Sequence, residues 1–374
     1  MEVRTWLELD RKALASNFQL LRQQLTPGCL FLGVVKSNAY GHGLIDFSQQ
    51  LVELGANWLG VDSITEGLAL RRAGITLPIL ILGYTLPNLL VEARQQNCSV
   101  TISSWENLRA WANLPKNERP QVHLKLDTGM TRQGFMAKDW PEVFAFWQQQ
   151  AGDNSLEGLY THLSSAKNPA FPQYTQKQLA NFEQACQLAQ KYGQQPLRHA
   201  AATAGALLFK ESHFDMVRYG IGLYGLWPAL AVKEFLSERL TLKPVLSWRS
   251  LISEVKDVPK GTAIGYDGVE KMWRNGRLAI VPIGYWHGFD RELSSVGHVL
   301  IKGQRARVVG RVSMDMIIID VTDIDDAQVG QTVTLLGRDG EQEITADEIA
   351  SLLDTSCYEI ITRLNPLMKK IIIN

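Results

Sequence analysis

From about residue 28 to 220 the chain repeats one pattern, a short apolar and β-branched run followed by a longer and more polar stretch. The short runs are Phe31–Lys36, Trp58–Val61, Pro78–Leu82, Ser99–Ile102, Val122–Asp127, Leu156–His162, Leu197–Ala200 and Phe214–Arg218. Between them, Leu44–Leu54, Glu66–Ala73, Leu86–Gln96 and Gln173–Tyr192 have the length and composition of helices. Parallel strands need a crossover connection, and a helix is the crossover that also covers the apolar face of the sheet. Eight such units in roughly 200 residues predict an α/β fold of the (β/α)8 TIM-barrel type.

After about residue 238 the pattern changes. Pro244–Val258, Leu278–Ile283, His298–Ile301, Ala306–Val312, Ile317–Val321 and Thr332–Leu336 read as strands with little helix between them. Asp267-Gly268 and Asp339-Gly340 supply turn chemistry. Thr345-Ala-Asp-Glu348 fits a capping box ahead of a helix over Ile349–Leu353. The expected organisation is a barrel over residues 10–237 and a mostly β C-terminal domain over 238–374.

Composition narrows the class of function. Lysine plus arginine balances aspartate plus glutamate, 38 of each, so no charge excess points to nucleic acid or an anionic membrane. The four cysteines are far apart and form neither a disulfide framework nor a thiolate zinc site. The seven histidines include no i, i+4 pair, so no metal is expected. The first ten residues carry acids where a signal peptide needs an apolar run, and no apolar stretch approaches the roughly 18 residues of a membrane span. A cytoplasmic protein is expected.

A barrel presents its chemistry at the C-terminal ends of its strands. Lys36 ends the first expected strand, Lys125 and Asp127 the fifth with Arg132 just beyond, and His162 the sixth. His199 lies near the end of the seventh, and Arg218 ends the eighth ahead of Gly220-Ile221-Gly222. A lone lysine at a strand end is ordinarily a solvated group, but several cations at one rim imply an anionic ligand such as a phosphate or carboxylate. Two motif matches fail their context. Gly220–Gly225 fits G-x-G-x-x-G, yet it closes the βα series and Trp227-Pro228 follows where a helix should continue. Its amides can still cradle one phosphate. Asp127-Thr128-Gly129 matches an aspartic-protease triplet, but that chemistry needs two carboxylates and no second triplet exists.

Val35-Lys36-Ser37-Asn38-Ala39-Tyr40-Gly41-His42-Gly43 closely resembles the cofactor-lysine segment of alanine racemases, the fold-type III enzymes that depend on pyridoxal phosphate. Similar in order and spacing are Lys125–Phe135, Val217–Ile221, Gly265-Tyr266, Pro282–Tyr285, Val309–Asp315 with Arg311 inside it, and Tyr358-Glu359. The resemblance spans roughly residues 5–365 and implies a barrel followed by a β domain, with residues 1–9 forming a strand that joins the latter. It implies a homodimer interconverting L- and D-alanine, a source of D-alanine for peptidoglycan. Lys36 and Tyr266 would be the two bases, Lys36 also binding pyridoxal 5′-phosphate, and Tyr266 would be donated to the neighbouring subunit's site. Lys36 would serve the D-isomer and Tyr266 the L-isomer. A free tyrosine has a pKa of about 10 and needs cationic neighbours to work near neutrality.

By the same resemblance Arg218 faces the pyridine nitrogen, where a guanidinium cannot readily supply a proton. Tyr40, Thr203, Gly220, Ile221 and Tyr358 match phosphate-binding positions; Arg132 and the Met314 amide match groups that hold the substrate carboxylate. Lys125 matches a lysine that is often carbamylated and pairs with Arg132. His162, Tyr285, Arg311 and Asp315 match supporting and entrance positions. Three positions depart from the family pattern: Ala202-Thr203 replaces Asn-Ser, Lys167 replaces an acidic residue, and His287 replaces the aspartate after Gly-Tyr, the last two altering charge at the expected access channel. Rival readings are a racemase of serine or another small amino acid, a decarboxylase of the same fold type, and a non-catalytic pyridoxal-phosphate carrier. The carriers are single barrels, which the β domain argues against.

Overall fold

The computed structural model describes residues 3–151 and 155–374. The chain divides into two compact units: one of Ala15–Ala39 and Leu44–Lys243, the other of the chain up to Leu14, Tyr40–Gly43 and Pro244–Asn374. In chain order the first strands are β1 (Thr5–Asp10), β2 (Leu30–Val34), β3 (Trp58–Val61), β4 (Ile79–Ile81), β5 (Cys98–Ile102), β6 (Val122–Lys125), β7 (Gly158–Tyr160), β8 (Leu197–His199) and β9 (Met216–Tyr219).

Strands β2 to β9 form one parallel eight-stranded sheet in the order β8-β7-β6-β5-β4-β3-β2-β9. Their residues are almost all buried, as strands covered on both faces must be. The sheet curls until its ends meet. Asp215 N donates to Arg198 O (3.0 Å) and Arg218 N to Ala201 O (3.1 Å). The Arg198 guanidinium grips both Asp215 oxygens at 2.8 Å, a bidentate geometry that adds direction to the ion pair. The expected barrel is therefore present, with all eight runs as strands. Most strands are shorter than expected, because β2 stops at Val34 and β7 at Tyr160, so Lys36 and His162 stand in the loops just beyond. The expected helices appear at Leu44–Glu53, Ile64–Arg72, Leu90–Gln95 and Gln173–Lys191.

The second unit holds β10 (Leu246–Leu251), β11 (Glu254–Val258), β12 (Ala263–Ile264), β13 (Glu270–Lys271), β14 (Gly276–Val281), β15 (His298–Ile301), β16 (Gln304–Arg307), β17 (Ile317–Asp320), β18 (Thr332–Asp339), β19 (Gln342–Ile344) and β20 (Lys369–Ile373). β1 pairs antiparallel with β10 and parallel with β20, inside a sheet ordered β16-β15-β18-β10-β1-β20. A second sheet runs β11-β14-β17, and β12 pairs with β13. The single strand expected over Pro244–Val258 is thus two strands in different sheets, and Ile252-Ser253 is where the chain changes sheets. Ile252 N bonds the Gln331 carbonyl (2.9 Å) while Ser253 N bonds Ile280 O (2.8 Å). Apolar alternation reads the same on either side of such a break. Asp339-Gly340 turns β18 into β19, and Thr345 caps Ala346–Leu352 by accepting from Glu348 N (3.0 Å). Ile264, Met272, Leu278 and Val309 form a small buried cluster behind the Gly265–Gly268 turn. No helix among the described residues is long and apolar enough to cross a membrane.

Candidate active site

In the barrel unit Lys36 lies one residue beyond β2 and opens a turn of unusual backbone. Ser37, Asn38, Ala39 and Tyr40 all have φ between 50° and 56°. Left-handed conformations cost L-residues roughly 1–2 kcal/mol each, so this run persists only where neighbours over-determine it. Glu66 does most of that: one carboxylate oxygen accepts from Asn38 N (3.0 Å) and the other from Asp62 N (2.9 Å). Asn38 Oδ1 in turn accepts from Leu44 N (3.0 Å). The Lys36 amine sits 3.2 Å from Asp62 Oδ1 and is about a third exposed. Neither Glu66 nor Asp62 was anticipated. Ser63-Ile-Thr-Glu66 carried a signal, since it reads as a capping box, and Ser63 does cap the helix. The Glu66 carboxylate, however, serves the turn that follows Lys36.

Arg218 lies on β9, the neighbour of β2, and is only 3% exposed. Its guanidinium donates to Thr161 O (2.8 Å), Ala200 O (2.9 Å) and His199 Nδ1 (2.9 Å), and lies 3.3 Å from His162 Nδ1. Burial lowers its pKa to about 10, still charged at neutrality. Burial first, and then the Arg218 charge, hold His162 and His199 well below the usual histidine range, so both act as neutral acceptors.

Lys125, 6% exposed, donates to Gln133 Oε1 (2.8 Å) rather than meeting Arg132. Its pKa falls to about 7 through burial, then through Arg218, Arg132 and Lys36, with Asp127 the only opposing charge. Four cations thus share one rim with little compensation, an environment that favours anions. Arg132 is exposed, and its backbone amide reaches Asp127 Oδ2 (3.2 Å). The other Asp127 oxygen accepts from Gly129 N and Met130 N, which commits the Asp-Thr-Gly carboxylate to shaping its loop. Thr203 Oγ1 accepts weakly from Gly220 N (3.3 Å) and Gly222 N (3.4 Å), leaving the hydroxyl proton to donate. A Cβ at Gly222 would press on Thr203 Cγ2 at 2.8 Å. Ile221 is buried beside them. This set fits the expected cofactor: an amine that can bond an aldehyde, a hydroxyl and backbone for a phosphate, and a surplus of positive charge.

The strand-rich unit carries the other expected residues. Tyr40 and Tyr358 rings lie 6.1 Å apart, and burial raises both phenols, Tyr40 to about 12. Tyr266 stands in the Gly265–Gly268 turn, 67% exposed, and next to it Asp267 is paired with Arg311. Met314 is exposed, and its carbonyl accepts from Trp286 N (3.0 Å) while Ser313 O accepts from Tyr285 N (3.1 Å). These two segments approach so closely that a Cβ at Gly284 would collide with Ser313 O. His287 corrects one expectation. It is buried, 5% exposed; its Nδ1 accepts from Gly284 N (3.2 Å) and stands 3.9 Å from Asp315. Burial lowers its pKa, opposed by Asp315, so it braces a turn instead of charging an access channel. Lys167 is exposed.

Residues 9–228 match the family model "Alanine racemase, N-terminal domain" and residues 245–372 match "Alanine racemase, C-terminal domain". An alanine racemase of Leptospira interrogans is 36% identical over 381 residues, covering 99% of this chain and 96% of that protein. One from Syntrophobacter fumaroxidans is 40% identical over 358 residues, 95% of this chain and 94% of its own length. Among solved structures, alanine racemase from Bacillus anthracis with bound L-Ala-P superimposes with a TM-score of 0.93 at 32% identity, over 100% of this chain and 96% of that one. Alanine racemase from Bartonella henselae with covalently bound pyridoxal phosphate gives 0.89 at 26% identity, over 99% and 100%. Two adjoining family matches across nearly the whole length, on a fold with the same barrel and strand-rich units, place this chain in the alanine racemase family.

Proposed function

We propose that the chain interconverts L- and D-alanine, with pyridoxal 5′-phosphate as its cofactor, Lys36 and Tyr266 as the two bases, and Tyr266 serving the site of a second copy. The observation that carries the reading is the pair at one rim: a lysine amine just beyond β2 and an arginine buried on the neighbouring strand β9. When bound, the cofactor delocalises the electron pair left on the substrate Cα once its proton departs.

The residues of the chain do the rest. Lys36 holds the cofactor and takes or returns a proton at Nζ for the D-isomer. Tyr266 Oη does so on the opposite face for the L-isomer, because inversion needs removal and delivery on different sides. Arg218, a charged donor with no proton to spare, would face the ring nitrogen and limit how much charge that atom could accept. Thr203, Gly220 and Ile221 would hold the phosphate in the barrel unit, and Tyr40 and Tyr358 are the family's other phosphate positions. Arg132 and the Met314 amide take the substrate carboxylate; Tyr285 guards the entrance. An exposed tyrosine on a tight turn is well placed to enter a second copy, as a homodimer requires.

Purified protein should be yellow and turn over L- and D-alanine, with L-serine slower. Borohydride reduction and peptide mapping should find the pyridoxyl group on Lys36. Label on another lysine, or turnover of serine alone, would defeat the reading.

Lys125 should carry a carbamate in this reading. With a pKa near 7, much of the amine is unprotonated at neutrality, so its lone pair can bond the carbon of CO2 while an N–H proton leaves to solvent. The resulting anion beside Arg132 would replace a cationic repulsion by an ion pair. In 13C-bicarbonate the protein should gain one carbamate carbon signal that Lys125→Ala lacks. The signal should fade as pH drops below about 7, where the amine is protonated and cannot attack. Lys125→Ala should be a weak enzyme partly rescued by chloride. Full activity in that variant, with no carbamate signal in the parent, would remove the proposal.

A further inference from the structure

The barrel interior holds a line of polar groups that runs from the catalytic rim to the opposite mouth. Arg218 Nη1 meets His199 Nδ1 at 2.9 Å. His199 Nε2 meets His123 Nδ1, on β6, at 2.8 Å. His123 Nε2 faces Glu157 Oε2 at 3.2 Å. Both histidines are wholly buried. Both atoms are buried and neither makes a hydrogen bond among the described residues, so they face each other at ion-pair distance without hydrogen-bond geometry, two polar atoms with no other partner. Glu157 precedes β7 and lines a cavity of about 120 Å³ with Thr76, Arg94, Asn97, Ser99 and Gln121, at the N-terminal ends of the strands.

The fold makes room for this line. A Cβ at Gly158 would fall inside the His123 imidazole, so β7 must carry a glycine opposite that ring. Tyr160 stacks on His199 with centroids 4.7 Å apart and planes 4° from parallel, and its hydroxyl is held by Thr101 (2.8 Å). Trp58 closes the other side of His123, edge-on at 5.4 Å. The rings cannot turn over without displacing these neighbours.

Donor accounting fixes every proton. Guanidinium has no acceptor, so His199 Nδ1 must accept and its proton sits on Nε2. That proton points at His123 Nδ1, which must also accept, so the His123 proton sits on Nε2, the ring atom that faces the Glu157 carboxylate at 3.2 Å. A second proton on either ring would set two donors face to face. We propose that Glu157, acting through His123 and His199, is a positioning residue for catalysis: it faces the last donor of a one-way chain that Arg218 starts, and so keeps both imidazoles in that one tautomer and Arg218 in its orientation at the rim. The proposal rests on the reading of Arg218 as the group facing the cofactor, but its first test needs no turnover.

Protein labelled with 15N-histidine carries seven such residues, and His123→Gln assigns the signals of the linked pair. In the unsubstituted holoenzyme both rings should be Nε2–H tautomers with Nδ1 accepting. Glu157→Leu removes the terminal acceptor. His123 should then become a mixture of tautomers, and kcat should fall about three- to tenfold with KM for alanine nearly unchanged, the split expected when a transition-state group is misplaced. Glu157→Gln, which keeps an accepting oxygen, should restore most of kcat. An Nδ1–H or doubly protonated ring at either position in the parent overturns the proposal whether or not Glu157→Leu folds. So does a Glu157→Leu enzyme with unaltered kcat. Tautomers as stated in a protein that does not racemise alanine would instead defeat the functional reading and leave the donor chain standing.

Discussion

Lys36→Ala and Tyr266→Ala are each expected to be nearly inactive alone, down by about 10⁴-fold or more, and to regain activity when unfolded and refolded together. The two residues belong to different compact units of the chain. In the proposed two-fold dimer, where each interface patch meets its own copy, one site would take Lys36 from one chain and Tyr266 from the other. A mixed dimer then holds one site with both lesions and one with neither. With random pairing, half the dimers are mixed and half of their sites are intact, so recovery should reach at most about a quarter of the unsubstituted activity. Joint unfolding is required because a large obligate interface exchanges subunits slowly. Differential tags report whether mixed dimers formed. Mixed dimers without activity would place Tyr266 in its own chain's site or outside the chemistry.

Arg218→Glu should slow racemisation by about 100-fold, some 2.7 kcal/mol of barrier, and give a new long-wavelength absorbance during turnover. A carboxylate beside the ring nitrogen favours its protonation, which a guanidinium opposes. A protonated ring nitrogen would make the bound cofactor a stronger electron sink. The substitution also strips donors from Thr161 O and Ala200 O, at about 1–3 kcal/mol for each buried acceptor left unpaired, so the melting temperature should fall. Arg218→Lys separates the two effects. It keeps the positive charge but not the fork, and should lose stability without the new absorbance. An Arg218→Glu enzyme with the parent's spectrum and rate would show that Arg218 does not face the ring.

The architecture was legible because alternation is a local signal: a buried parallel strand reads as a short apolar run, and its crossover reads as a helix. Lys36, Lys125 and Arg218 were placed at one rim because the barrel assigns strand ends to chemistry; their proposed roles, and Thr203 altogether, came from segments that resemble one family. The split of Pro244–Val258 between two sheets was not legible. Sheet partners are set by long-range pairing, and Leu246–Leu251 and Glu254–Val258 carry no local mark of which neighbour each will meet.

The buried place of His287 was likewise invisible, since a histidine in a Gly-Tyr-Trp-His-Gly turn reads as exposed until a neighbouring segment covers it. Glu66 and Glu157 were passed over for the same cause. Each lies far along the chain from the group it serves, Glu66 28 residues from Asn38, and neither belongs to a motif for that role. The sequence by itself therefore determined the barrel and its strand-rich partner through periodicity, and the family resemblance of contiguous segments pointed to the residues proposed to meet cofactor and substrate. Only the tertiary structure decided what holds those residues: the carboxylate that clamps a left-handed lysine turn, and the histidine line behind Arg218. Such supports depend on through-space distance and on which buried donor finds an acceptor, and chain order records neither.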